Sequence, residues 1–394
     1  MKKLIGIMMA LVLVFALAAC DGTDQPITVA MEATGDIPAK FEEQMDRFTE
    51  ETGIEVNIQT YAGADNYEQA LLGQIAGETA PDVFILDGGH MIREYASQGA
   101  LMALDDILEM DMGDFEQSLV NAFYYEDELY GVPKDYNTSV LFYHEDLLAG
   151  DVPTTISEFE TAAMNATSGT GDEKVYGFGI DPKINYYLPY IFTMGAEILG
   201  TDGTVNETEM QSQDHKDALQ LLKDLFDGGY ATSPFLSGAG WDGEMFGNED
   251  VAMLYGGSWI TGVIDESINA GIAELPTEGN ASSMLYVAGW VISSQSENPE
   301  GAAQLIEFLS TDDELVQGNL DGLIGLPPTA SAMDALIEEK SDDAYLPVYR
   351  EVVENGFPFG AIDPEFVDTY NQALEGMLYD GVSIDDTITA MLEE

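Results

Sequence analysis

An α/β protein built on open, doubly wound sheets is what this sequence predicts, and three observations carry the prediction. Short apolar runs suited to buried strands alternate with helical periodicity through the first hundred residues. The chain has 394 residues, 45% of them hydrophobic and 10% aromatic, which is enough for two or three domains or two interlocked lobes and excludes wholesale disorder. No internal repeat or low-complexity linker separates the halves, so several short crossovers are expected to join them.

The elements follow in order. Ile27-Thr28-Val29-Ala30 reads as a short apolar strand, and residues 38–52 place Phe41, Met45 and Phe48 at helical spacing. Gly53 stands where a helix-ending glycine belongs. Ile54, Val56 and Ile58 alternate as a half-buried strand, followed by a helix over 67–76 that Gly77 stops. Val83-Phe84-Ile85-Leu86 is the continuous apolar run of a central parallel strand. Asp87-Gly88-Gly89 breaks it before a helix over 91–97. Residues 139–143 read as a further strand, and Thr155 with Glu158 forms a capping box. Helices are expected over 187–199, 214–226 and 299–309, the last with Asn298 at its cap and Pro299 at its first position. Ser383 with Asp386 opens a final helix.

Charge and the N-terminus bound the setting. Lys and Arg number 12 against 73 Asp and Glu, a net charge of −61, which repels phosphate backbones and excludes a basic nucleic-acid groove. Such acidity is expected to suit salty surroundings, where screening weakens self-repulsion; an ordinary acidic secreted protein is the other reading. Lys2 and Lys3 precede an apolar stretch over 4–16 that is too short to span a membrane comfortably. It runs into Leu17-Ala18-Ala19-Cys20, which resembles the lipobox of bacterial lipoproteins. Cys20 is the one cysteine, so no internal disulfide exists. The expectation is a signal peptide over 1–19, a lipidated tether over 20–25 and a body held at the outer face of the cytoplasmic membrane.

Further stretches carry a family likeness: 41–58 (FEEQMDRFTEETGIEVNI), 77–87 (GETAPDVFILD), 130–148 (YGVPKDYNTSVLFYHEDLL), 251–259 (VAMLYGGSW), 289–307 (GWVISSQSENPEGAAQLIE) and 325–329 (GLPPT). In that order, behind a lipobox, they resemble the extracellular solute-binding proteins typified by the maltose-binding protein, the receptors of ABC importers. The resemblance implies a type II periplasmic-binding-protein-like fold, two α/β lobes on a multi-segment hinge with a ligand cleft between them. By analogy one lobe takes 26–136 with 291–333, and the other 138–288 with 334–394. It also implies a monomeric receptor that needs no cofactor and hands a carbohydrate to ABC permease subunits.

Candidate ligand residues follow from chemistry first. Sugars present apolar faces that stack on aromatic rings and hydroxyls that planar polar groups bind in pairs. Trp241 and Trp259 lie in glycine-rich settings, and Trp290 follows Gly289 near the expected hinge; such flanks suggest rings presented from loops. Thr34, Asp36 and Asp87 follow strand ends, where open α/β sheets bind ligands, though each also suits a helix cap. The resemblance adds Tyr136 and Asn137 at the crossover and Tyr186 on an aromatic platform, and it supports Trp259. The chain departs from the maltose-type pattern after Asp87, where Gly88-Gly89-His90 stands without an arginine.

Enzyme chemistry finds no support. His90, His144 and His215 are dispersed, with no HExxH zinc motif, and no GxSxG elbow or GxxxxGK[ST] loop occurs. The acidic run Glu126-Asp127-Glu128 lacks EF-hand spacing, so no metal site is expected. Two alternatives remain: a receptor for a cationic or compatible solute held in an aromatic cage, and a surface carbohydrase or adhesion lipoprotein.

Overall fold

The computed structural model describes residues 25–33, 37–62, 64–148, 150–200, 203–265, 267–279, 281–311 and 325–392. The expected leader, Cys20, Thr34 and Asp36 lie outside these described residues. Twelve strands are described: β1 Ile27–Ala33, β2 Val56–Ala62, β3 Val83–Asp87, β4 Tyr124–Tyr125, β5 Glu128–Leu129, β6 Gly131–His144, β7 Tyr176–Gly179, β8 Ala231–Thr232, β9 Val251–Gly257, β10 Ala270–Ala273, β11 Ser283–Ile292 and β12 Gly356–Pro358.

Strand burial follows position in the sheet. β1 lies between β2 and β3, parallel to both, and its Ile27, Val29 and Ala30 are fully buried, as are Val83 and Phe84 of β3. β2 is the edge and stays partly exposed along its length. Continuous apolar runs thus mark the interior strands. The helix Ile37–Thr52 buries Phe41, Met45 and Phe48 against them, and Gly53 ends it at φ +79°, its N–H donating to the Thr49 carbonyl at 2.9 Å.

Two long strands carry the chain between the lobes. β6 runs through 14 residues; its first part pairs with β11, and residues 139–143 pair with β9. β11 pairs with β3 at 288–292 and with β12 at 283–285. The sheet order β2-β1-β3-β11-β6-β9-β7-β8 is therefore continuous across both lobes. The expected strand over 139–143 is only the far end of β6. Residues 136–138 stay extended because β11 pairs with them, a tertiary cause that local sequence does not display.

Beyond β6 the second lobe has its own core, in which Phe159, Phe178, Tyr190 and Tyr255 pack edge to face. The capping box at Thr155 and Glu158 is present, and Ser383 accepts from the Asp386 N–H as expected. The helix expected over 187–199 spans Ile184–Thr193 instead, and Gly195 at φ +98° turns the chain away. Two histidines are structural. His215 is buried between the Met210 carbonyl (2.7 Å) and the Tyr370 hydroxyl (3.0 Å), and His144 stacks on Phe246 at 3.9 Å. Glu126 and Asp127 form the turn between β4 and β5, both at positive φ, the geometry of a two-residue hairpin.

Met333, Leu336, Leu346 and Tyr349 pack in the larger core, which also takes in Phe142, Phe246 and Leu254, and Arg350 bonds Glu116 at 2.8 Å.

Candidate functional site

The parallel strands of both lobes point their carboxyl ends toward one region, where an open α/β sheet offers its ligand crevice. β3 delivers Asp87 there. Its side chain is exposed at the end of the strand. Burial pushes its carboxyl pKa up, the charges of Asp135 and Glu68 add to the rise, and His90 opposes it. Asp87 pairs with Ala288 on β11, and Ala288 pairs with Asp135 on β6; two residues along β11, Tyr286 faces Asn137.

The second lobe supplies the aromatic wall. After β9 the chain enters the tight turn Ser258–Val263, and Trp259 folds back over Gly257. A Cβ on Gly257 would sit 2.2 Å from the indole, so glycine is required for the ring to lie there. Trp259 meets Tyr286 edge to face at 5.0 Å, and Tyr286 meets Phe359 at 5.6 Å. The Asn185 amide donates to the Tyr286 hydroxyl at 3.1 Å, and burial pushes that phenol up to about 12. Ser258 donates to the Asn137 side-chain oxygen at 2.9 Å, which fixes the amide.

Beside this wall lies a carboxylate. Asp242 begins the helix Asp242–Gly247 and is only 4% exposed. Its Oδ1 accepts from the Gly243 N–H at 3.0 Å, whereas Oδ2 has no well-formed hydrogen bond; the Tyr186 phenol lies near the carboxylate. Burial raises the Asp242 pKa, Gly243 opposes the rise, and the charge of Asp181 adds to it. Burial also raises the Tyr186 phenol, followed by the charge of Asp242. A buried acceptor without a partner costs free energy, and a ligand hydroxyl or cation would satisfy it. Trp241 is 38% exposed at the rim, its ring covering Gly243.

The sequence-derived candidates thus divide. Asp87, Asn137, Tyr186, Trp241 and Trp259 gather around the strand ends. Trp290 does not: it is 3% exposed and stacks on Phe41 at 6.0 Å in the first core. Its neighbour Gly289 is required by the Phe123 ring, which a Cβ would meet at 2.3 Å, so the glycine signals close packing and not a presented loop. Tyr136 is likewise a core residue, 1% exposed on the opposite face of β6 from Asn137. Thr34 and Asp36 lie outside the described residues.

Sequence reasoning missed Asp242, Tyr286, Asn185 and Phe359. Tyr286 carried a usable signal, since it shares the alternating face of β11 with Ala288; the others depend on tertiary proximity. Across the junction, the His90 ring nitrogen Nδ1 lies 3.2 Å from the Gly360 carbonyl. A Cβ on Gly360 would lie 1.8 Å from the Gly88 carbonyl, so the turn Phe359–Ala361 sits directly on the end of β3. Beside this contact is a groove of about 520 Å³ lined by His90, Arg93, Glu94, Ser97, residues 203–205, Asp363 and Pro364. It lacks the stacked rings of the neighbouring wall, so the aromatic and carboxylate cluster is the stronger site. No group of residues able to hold a metal ion occurs among the described residues.

The chain can now be set beside known proteins. The family model for bacterial extracellular solute-binding protein matches residues 43–347. The maltodextrin-binding protein MdxE of Bacillus subtilis (strain 168) is 26% identical over 331 residues, covering 79% of this chain and 77% of that protein. The galactooligosaccharide-binding protein of the same organism is 25% identical over 278 residues, covering 67% of this chain and 64% of that protein. A cyclo/maltodextrin-binding protein solved with maltotetraose superposes with a TM-score of 0.79 at 20% identity, over 94% of this chain and 95% of the other. That likeness establishes the fold: a two-lobed α/β architecture of the periplasmic-binding-protein type.

Proposed function

Because this chain belongs to the bacterial extracellular solute-binding proteins, we propose that it captures a carbohydrate between its lobes and delivers it to the permease of an ABC importer. The observation that carries this reading is the aromatic wall of Trp259, Tyr286 and Phe359 beside the buried, half-satisfied Asp242. Aromatic faces suit the C–H side of a sugar ring, and a carboxylate suits its hydroxyls. Relatives that bind maltodextrins and galactooligosaccharides support the same class. The ligand would bridge the lobes and shift an open–closed equilibrium by binding the closed form more tightly, with β6 and β11 as the hinge. No chemical turnover is part of this role.

A thermal-shift panel of the body from Gly22 onward tests the reading. A ligand at a hundred times its dissociation constant adds about 2.7 kcal/mol to the folded state. Maltodextrins or galacto-oligosaccharides are therefore expected to raise the melting temperature by several degrees; no rise with any sugar would overturn the carbohydrate reading. One observation favours a second ligand class. Asp242 and Asp181, the latter paired with Lys183, place carboxylates beside Tyr186, and Asp242 also lies near Tyr286, as a cage for a betaine or polyamine requires. Shifts with those cations alone would select it.

The body would be tethered through a lipid on Cys20, a reading supported by the lipobox-like Leu17-Ala18-Ala19-Cys20 and the extracellular family. Cys20→Ser is expected to release the protein from the membrane and to abolish incorporation of labelled palmitate in cells. Continued labelling of that variant would rule the anchor out.

A further inference from the structure

The second lobe continues its row of rings beyond the wall just described. In the order β9–β7–β8, the strand ends lead to Trp259, to Asp181 and Tyr186, and finally to the short helix Pro234–Ser237. That helix exposes Phe235 and Leu236, at 76% and 52%, unusual for large apolar side chains. Phe235 is not loose: it packs on Tyr379 at 5.2 Å, and the Tyr379 hydroxyl is hydrogen-bonded to Ser233 at 2.7 Å. Residues 238–240 then return the chain to Trp241 and Asp242. Asp181 links the two ends of the row. Burial leads in each case, but its charge also helps to raise the pKa values of Tyr186, Asp242 and Tyr379.

Resting on the carbohydrate reading above, we propose that Phe235 and Tyr379 form an outer stacking platform for the sugar units of an oligosaccharide that extends out of the cleft past Trp241. The geometry favours this occupant because the patch follows the candidate site in strand order, at the carboxyl end of β8 beside β7 and β9. Neighbouring strands are about 4.8 Å apart, so two strand steps carry the row about 10 Å outward. Asp181, partly exposed and paired with Lys183 at 2.5 Å, sets polar groups beside the rings, as a chain of hydroxylated rings requires and a dry protein interface does not.

The test is a calorimetric titration of wild type and Phe235→Ala with maltose and maltoheptaose, and with lactose and a longer galacto-oligosaccharide. Wild type is expected to prefer the longer member of one series. In Phe235→Ala the ratio of long-chain to disaccharide affinity falls about fivefold to tenfold, the order of one aromatic stacking contact. Phe235→Trp, which keeps a ring, retains the ratio. An unchanged ratio in Phe235→Ala, with disaccharide still bound, overturns the platform and leaves the receptor reading standing. Wild type that binds no sugar of either length overturns both. Reduced uptake by cells at unaltered long-chain affinity also overturns the platform and moves the patch to the permease.

Discussion

Replacing Trp259 with alanine is expected to weaken sugar binding by about 30-fold or more, the ~2 kcal/mol that marks a binding hot spot. The indole is held from three directions: Gly257 lies beneath it, Tyr286 stands edge-on at 5.0 Å, and the following turn fixes its backbone. A ring held in this way loses little freedom when a ligand stacks on it, so its contribution is not offset by ordering. Trp259→Phe keeps a face and should recover part of the loss. Calorimetry with the best sugar of the thermal panel reads both variants. Full affinity in the alanine variant would remove Trp259 from the site.

Trp290→Ala is expected to act on stability and not on ligand contact. The side chain is buried in the first core against Phe41, on a strand that links the lobes. Truncating a buried aromatic costs about 3–5 kcal/mol, because the surroundings collapse only partly into the cavity. Denaturant melts should show that loss, while the protein that remains folded should still bind sugar. Unaltered stability with abolished binding would return Trp290 to the cleft.

The contrast between these two tryptophans shows what the sequence could and could not reveal. Both have glycine neighbours, and the glycine has a different cause in each. Gly257 makes room for the indole that follows it, whereas Gly289 makes room for Phe123, which lies far away in the chain. Composition alone cannot separate these cases, because the deciding atom belongs to another element. The first three strands were legible since their apolar runs and stop signals are local, down to Gly53 at positive φ. The continuous β6 was not, because 136–138 are extended through pairing with β11. Asp87 was legible as a carboxylate at a strand end. Asp242 was hidden behind Trp241, since a carboxylate at the start of a helix ordinarily serves the helix, and its unsatisfied oxygen becomes visible only in three dimensions.

A carbohydrate is expected to occupy the space between the two lobes. The most direct measurement is a calorimetric titration of the body from Gly22 onward with maltotetraose and a galacto-oligosaccharide, alongside glycine betaine and spermidine. Saturable binding of one oligosaccharide per chain is expected in at least one sugar series, and none of comparable strength with the cations. Heat with betaine or spermidine alone, or with no ligand in saturating amounts, would contradict it.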